Sequence, residues 1–292
     1  MNAVYRAIGI SKQAVWKQEV KQTEFSAKVE LLSDQINHYR KEHPGCGLDK
    51  LYYQLKPDFV GRDKFISTFM DLGYGVSKKK NYKRTTYSVQ SKYKNLIKGK
   101  KINSSNKIWQ SDITYYQVEN RFYYLVFIID VYNKKIVGYN ASKTLRADSN
   151  IKALKMAIKS VWGKTDGLIH HSDRGSQYIE KNYIKLLAFS NIKISMAEKA
   201  QDNAYAERIN GIIKNEYLEG KTINSFEELE KNLRKSVNHY NIHRLHKGLP
   251  LKWFTPIEFE EKMVKTQMKN RPILTIFDEN NLKTNKYINN YQ

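Results

Sequence analysis

The apolar positions change period along the chain, and the changes divide it. Residues 3–20 place short apolar groups around Ile8-Gly9-Ile10-Ser11, which predicts two short helices. Ser11 is the expected N-cap of the second, which carries Lys12, Gln13, Trp16 and Lys17. That is the outline of a partial helix-turn-helix, set against the blander role of a packing helix. From Lys28 to Lys41, Val29, Leu32, Ile36 and Tyr39 recur at helical spacing, and Pro44-Gly45-Cys46-Gly47 ends the run. Asp49 opens another helix with Leu51, Tyr52 and Leu55 inward. A third starts near Arg62-Asp63 with Phe65, Ile66 and Phe69 inward and stops at Gly73. Residues 1–75 therefore predict a small all-helical domain, read as a DNA-binding region.

At Lys107 the pattern turns to period two and to dense β-formers. Ile108 to Val118, Phe122 to Tyr132 and Lys135 to Ala141 are expected strands, and their short turns force an antiparallel meander. The second is apolar on both faces, the mark of a central covered strand. A helix over 148–161, a buried strand at 167–171, a helix over 177–189, a strand at 192–195 and a helix over 203–217 follow. The order βββαβαβα gives an α/β fold, a mixed five-stranded sheet flanked by helices in the ribonuclease-H-like layout, spanning residues 107–220. Residues 221–263 form a helical and basic segment. In it Phe226 to Tyr240 is amphipathic, with Leu229, Leu233 and Val237 inward, and Thr255-Pro256 opens a last helix over 257–263. Residues 264–292 are polar and rich in Asn and Lys, with weak order expected near the end.

Charge narrows the partner. Among 292 residues, 51 Lys and Arg face 29 Asp and Glu, a net charge of +22 that concentrates polyanions at the surface. DNA is the expected partner. An anionic membrane is the weaker alternative, since the longest apolar run, 122–129, has only strand length. The N-terminus lacks a secretory apolar region, and the single Cys46 excludes an internal disulfide, so a cytoplasmic location is expected. His38, His43 and Cys46 lack a fourth ligand for zinc. Residues 72–111 hold no acid and eleven cations. Ordinary surfaces intersperse both signs, so residues 76–106 predict a basic linker that tracks DNA, with Lys78, Lys79, Lys80, Lys83 and Arg84 as contacts. Further on, Asn238 to Lys247 mixes cations with flat rings. Such a mixture suits backbone contact through Arg244 and His246, unless Tyr240 and Trp253 simply pack on the core.

Three carboxylates stand out. Asp112 lies mid-strand in Trp109-Gln110-Ser111-Asp112-Ile113-Thr114, where an Asp needs a partner, a cation or solvent. Asp173 follows a buried strand directly, the place where ligands gather in open α/β sheets, and Arg174-Gly175 turns the chain there. Glu207, Gly211 and Lys214 fall on one helical face, offering a carboxylate to a metal and a Lys to a phosphate. Hard oxygen ligands without sulfur suit Mg²⁺, with Mn²⁺ as a substitute. Asp130, closing the central strand, is read as structural. Ser172 beside His170 and His171 lacks the elbow motif of a serine hydrolase.

Five stretches carry a resemblance. They are Trp109 to Tyr115; Asp130-Val131-Tyr132 with Ile136-Val137-Gly138; His171 to Tyr178; Asp202-Asn203-Ala204 with Glu207-Arg208, Asn210-Gly211 and Lys214; and Tyr240-Asn241, Arg244, His246, Gly248-Leu249 and Thr255-Pro256. In this order they resemble DDE-type insertion-sequence transposases related to retroviral integrases, in particular the second-reading-frame product of the copy-out-paste-in family. The resemblance implies a DDE triad of Asp112, Asp173 and Glu207, with Lys214, Arg208 and Arg174 at DNA. It also implies metal-dependent strand cleavage and 3′-OH strand transfer, a homo-multimer on paired element ends, and an upstream-frame helix-turn-helix partner. The loop Met196 to Asn203 departs from the family pattern: it is shorter and lacks the usual Gly and Pro. Two alternatives stay open, a structure-specific nuclease of the same fold and a DNA-binding protein whose catalytic site has decayed.

Overall fold

The computed structural model describes residues 9–76 and 93–276. Three helices come first: α1 (Lys12–Glu42), α2 (Leu48–Leu55) and α3 (Arg62–Asp71). They close on Leu32, Ile36, Cys46, Leu48, Leu51, Phe65 and Phe69. Ser11 caps α1 as expected, accepting from Ala14 N at 3.1 Å. The break expected near residue 20 is absent, because residues 20–28 contain neither Gly nor Pro and one helix runs through. The expected second helix of the helix-turn-helix is thus the start of α1, and most of the first falls on residues 1–8, outside the described residues.

The core sheet has strands β2 (Ile108–Val118), β3 (Arg121–Asp130), β4 (Ile136–Ser142), β5 (Ile169–Ser172) and β6 (Lys193–Met196), in the order β4-β3-β2-β5-β6. β2, β3 and β4 pair antiparallel, while β5 lies parallel to both β2 and β6. This is the mixed five-stranded, ribonuclease-H-like sheet. Its central strand alternates between two cores. Leu125, Phe127 and Ile129 pack under α6 (Ala204–Ile212) and α7 (Phe226–Ile242). Val126 and Ile128 pack under α4 (Ala147–Ser160) and α5 (Lys181–Phe189). Gly138 is needed where α4 crosses β4, since a Cβ there would lie 2.2 Å from the Ala153 carbonyl oxygen.

The helix expected over 177–189 is split: a 3-10 turn at Ser176–Ile179 precedes α5, which Glu180 caps by accepting from Asn182 N and Tyr183 N. The linker also differs from expectation, while the end of the tail, residues 277–292, lies outside the described residues. Residues 77–92, and with them Lys78, Lys79, Lys80, Lys83 and Arg84, lie outside the described residues. Beyond them the chain is not a bare linker. β1 (Lys101–Ile102) pairs antiparallel with β7 (Leu274–Thr275), and Ile97, Ile102 and Ile276 join Ile108, Tyr132, Leu249 and Phe259 in a third core. The helix α8 (Pro256–Lys265), capped by Thr255 with Pro256 in its first turn, supplies Phe259 and Met263 to it. Among the described residues, no helix is long and apolar enough to cross a membrane.

Candidate active site

Strand alternation decides what each residue of β2 meets. Trp109 and Ile113 enter the core under α4 and α5, and Ser111 Oγ meets Tyr178 OH at 3.0 Å beside them. Gln110, Asp112, Thr114 and Tyr116 face the opposite way, toward α6 and the π-helical turn Ile213–Leu218 that continues it. There they form a polar seam. The Gln110 amide donates to Asp202 O at 2.8 Å and accepts from Tyr205 N and Ala206 N. Asn210 Nδ2 donates to Asp112 Oδ2 at 2.7 Å, Lys214 Nζ to Thr114 Oγ1 at 3.4 Å, and Tyr116 OH to Leu218 O at 3.1 Å. Asn203 Nδ2 adds a bond to Ser111 O at 3.0 Å.

Parallel pairing of β2 with β5 sets Ser111 opposite Ser172. The residue after each is an acid, so Asp112 and Asp173 each follow one member of this pair, on strands whose backbones run about 4.8 Å apart. Gly175 N donates to Asp173 Oδ1 at 3.0 Å, and a Cβ on Gly175 would come within 2.9 Å of Gln177 Oε1 and 3.1 Å of Asp173 Oδ1. The tight turn there needs glycine for space. Glu207 lies in the first turn of α6 and is exposed. The three acids share one electrostatic neighbourhood. Burial pushes the half-buried Asp112 well above the carboxylate range, and Asp173 and then Glu207 add to it. Glu207 is raised as well, by burial and then by Asp173. Among the described residues, no three of His, Cys, Asp and Glu are gathered tightly enough to hold an ion as they stand.

The loop ahead of Glu207, residues 196–203, is closed without Gly or Pro. Glu198 N and Lys199 N both donate to Asp202 Oδ2, and Arg174 donates through Nε to Ala197 O and through Nη2 to Glu198 O. Arg174 therefore holds the loop that leads into α6. Arg208 is exposed next to Glu207. Half-buried Lys214 places its ammonium 5.0 Å from the Tyr115 ring centre.

Arg244 and His246 do not form the expected DNA surface. Arg244 is 4% exposed, and its guanidinium grips both oxygens of Glu216 at 2.9 Å while its Nη1 lies 3.3 Å from the His246 ring nitrogens. The cause is the half-buried carboxylate of Glu216, a partner 28 residues earlier that no local pattern pairs with it. Tyr240 is buried with its hydroxyl donating to Lys134 O, and Trp253 stacks on Tyr53 at 3.8 Å. His43 stacks on Tyr217 at 4.2 Å, and Cys46 is buried in the helical core. His170 and His171 are taken up by Tyr183 OH and Ser195 Oγ. Asp130 organises a turn, accepting from the backbone N–H groups of Asn106, Tyr132 and Asn133. Sequence reading passed over Gln110 and Asn203 as seam residues. The polar positions 110, 112 and 114 recurring at period two on one face of the strand were the available signal.

Two integrase core domain profiles match residues 103–201 and 190–256. The chain is 32% identical over 250 residues to the 31 kDa protein of insertion element IS600 from Shigella sonnei, covering 83% of this chain and 89% of that one. It is 30% identical over 219 residues to the transposase for insertion sequence element IS629 from Shigella sonnei, covering 71% of each. Among solved structures, the HTLV-2 integrase catalytic core domain in complex with magnesium aligns at a TM-score of 0.41 and 23% identity, over 50% of this chain and 92% of that one. The chain belongs to the insertion-sequence transposases that carry an integrase core domain. Its function is that of an insertion-sequence transposase, acting on DNA in transposition.

Proposed function

We propose that the chain is a Mg²⁺-dependent DDE polynucleotidyl transferase that cleaves the element's end and joins the freed 3′-OH to target DNA. The observation that carries this reading is the β2/β5 register, which pairs Ser111 with Ser172, the residues just before Asp112 and Asp173, combined with the seam that ties Glu207's helix to the same strand. Asp112, Asp173 and Glu207 are the residues that would hold metal, and Mn²⁺ is expected to substitute. The donor set fits: three oxygen ligands without sulfur, with Asp112 and Glu207 both raised by burial and then by the neighbouring carboxylates. Two divalent ions bound there would stabilise the attacking and leaving oxygens of an in-line displacement at phosphorus.

The chain's own groups do the positioning. Asn210 fixes one oxygen of Asp112 and so sets the rotation of that carboxylate. Gly175 N does the same for Asp173. Arg208 on α6 and Lys214 on the π-helical turn that continues it supply charge to the phosphate backbone near the reacting bond. Joining two ends to one target calls for more than one copy on the DNA. The test is Asp112→Asn, assayed with a pre-cleaved element end in Mg²⁺. Strand transfer is expected to fall on the order of 10³-fold, several kcal/mol of lost transition-state stabilisation, with end binding retained. Wild-type protein that hydrolyses ends but never joins them is a nuclease, and Asp112→Asn protein that still joins them removes the triad assignment.

A further inference from the structure

Gln110 has no part in the chemistry outlined above, yet it ties Asp112's strand to Glu207's helix. It is fully buried. Its Nε2 donates to Asp202 O at 2.8 Å, and its Oε1 accepts from Tyr205 N at 3.1 Å and Ala206 N at 3.3 Å. The first N–H groups of a helix have no partner inside it. Here the acceptor comes from the strand that carries Asp112, two residues ahead of that acid. We propose that Gln110 is a positioning residue that sets how far the Glu207 carboxylate stands from Asp112 and Asp173. The inference rests on the reading of those three acids as the metal-holding triad.

Three features distinguish this from ordinary capping. The residue at the N-cap position, Asn203, makes no cap bond with its side chain and donates across to Ser111 O instead, so the junction is fastened to β2 twice. Glu207 follows Ala206 directly, leaving no intervening turn to absorb a shift at Gln110's contact. Gln110 and Asp112 share one face of β2 about 6.7 Å apart, so fixing the helix start at one level fixes its reach at the next. An amide one methylene shorter cannot span both Asp202 O and the Tyr205 and Ala206 N–H groups. Misplacing a reacting group by about 1 Å is enough to lower rate ~10²-fold.

The test uses the full chain and two readouts. Gln110→Met keeps the volume and removes all three hydrogen bonds. Its Mn²⁺ dissociation constant, measured without DNA by titrating the free ion, is expected to rise about tenfold or more, and kcat for strand transfer to fall roughly 10²-fold while KM for the pre-cleaved end stays within about twofold. Leu154→Ala, a cavity in the core under α4, serves as the control for simple destabilisation: it lowers Tm but leaves Mn²⁺ affinity unchanged. Gln110→Met protein that matches Leu154→Ala in Mn²⁺ affinity and kcat overturns the proposal. If Gln110→Met does not fold, Gln110→Asn carries the test, with weakened Mn²⁺ binding expected and wild-type binding decisive against it. Asp112→Asn run in parallel separates the two readings. Loss of activity there, with normal Gln110 variants, sinks only this inference, whereas retained Mn²⁺ binding and joining by Asp112→Asn sink both.

Discussion

Glu216 joins the N-terminal helices to the core, and removing its carboxylate is the sharpest perturbation the structure offers. It accepts from His43 Nε2 at 2.9 Å, from Lys50 Nζ at 2.9 and 3.0 Å, and from Arg244 Nε and Nη2, each at 2.9 Å. Burial alone would raise its pKa, but the hydrogen bonds from His43 and Arg244 and the charges of Arg244 and Lys50 hold it far below the usual range. Burial pushes His43 down to about 4 in spite of the Glu216 bond, so near pH 7 it is neutral and donates its Nε2–H. Glu216→Ala strands a buried guanidinium. Breaking a buried pair in this way costs about 3–5 kcal/mol, and with Glu216 21% exposed the lower figure, ~3 kcal/mol, applies. Urea unfolding at pH 7 measures it. The pH dependence follows from the same groups. Both folded pKa values are depressed, so both contributions are complete above the unfolded values and drain as pH falls. That of His43 goes between 6.5 and about 4, that of Glu216 from 4.5 downward. Glu216→Gln keeps an acceptor for His43 and cannot titrate, so it should retain the first loss and flatten the second. A Glu216→Ala protein within about 1 kcal/mol of wild type, or an unchanged acid limb in Glu216→Gln, would refute the reasoning.

Two further outcomes are expected. Gly138→Ala drives a Cβ to within 2.2 Å of Ala153 O and 3.1 Å of Ala157 Cβ, so α4 must lift from β4. Overpacking of that kind destabilises by about 1–3 kcal/mol, and the upper figure is expected because the obstructing atom is backbone; thermal unfolding checks it. Lys214→Ala should reduce the slope of log affinity against log salt for element-end DNA by about 0.9, the share of one phosphate. An unchanged slope in titrations across salt concentrations would confine Lys214 to its contacts with Thr114 and Tyr115.

Most of the sheet was legible because period two is a local signal. Ile108 and Val118 bound β2, and Asp173 directly follows β5, a short buried strand. What was missed depends on partners far away in sequence. The π-helical turn at Ile213–Leu218 has no Gly or Pro to announce it. It is accompanied by Gly45 N donating to Glu216 O at 2.7 Å, a tertiary bond made at the wide turn itself. Arg244 looked like a phosphate ligand because a cation among aromatic rings reads the same whether it meets DNA or a half-buried carboxylate 28 residues earlier. Ile97 and Ile102 carried no period in their basic run, and only pairing with Leu274–Thr275 reveals them as core.

The seam explains how one helix can serve both packing and chemistry. Two residues of strand advance about 6.7 Å and four residues of helix about 6 Å, so the two elements stay in step. Asp112, Thr114 and Tyr116 thus meet Asn210, Lys214 and Leu218 in turn. The same helix turns Ala206, Ile209, Ile212 and Ile213 toward Leu125, Phe127 and Ile129 of the neighbouring strand. Apolar burial against β3 supplies stability, which lets the stripe against β2 be polar without opening the fold, provided each buried polar group finds a partner. Glu207 sits at the start of this polar stripe with Asp202 and Asn203 fastened just before it, and Glu216 anchors the far end. Its position is therefore set by bonds its neighbours make to β2 and to the N-terminal helices, and the carboxylate itself stays exposed at the edge of the site.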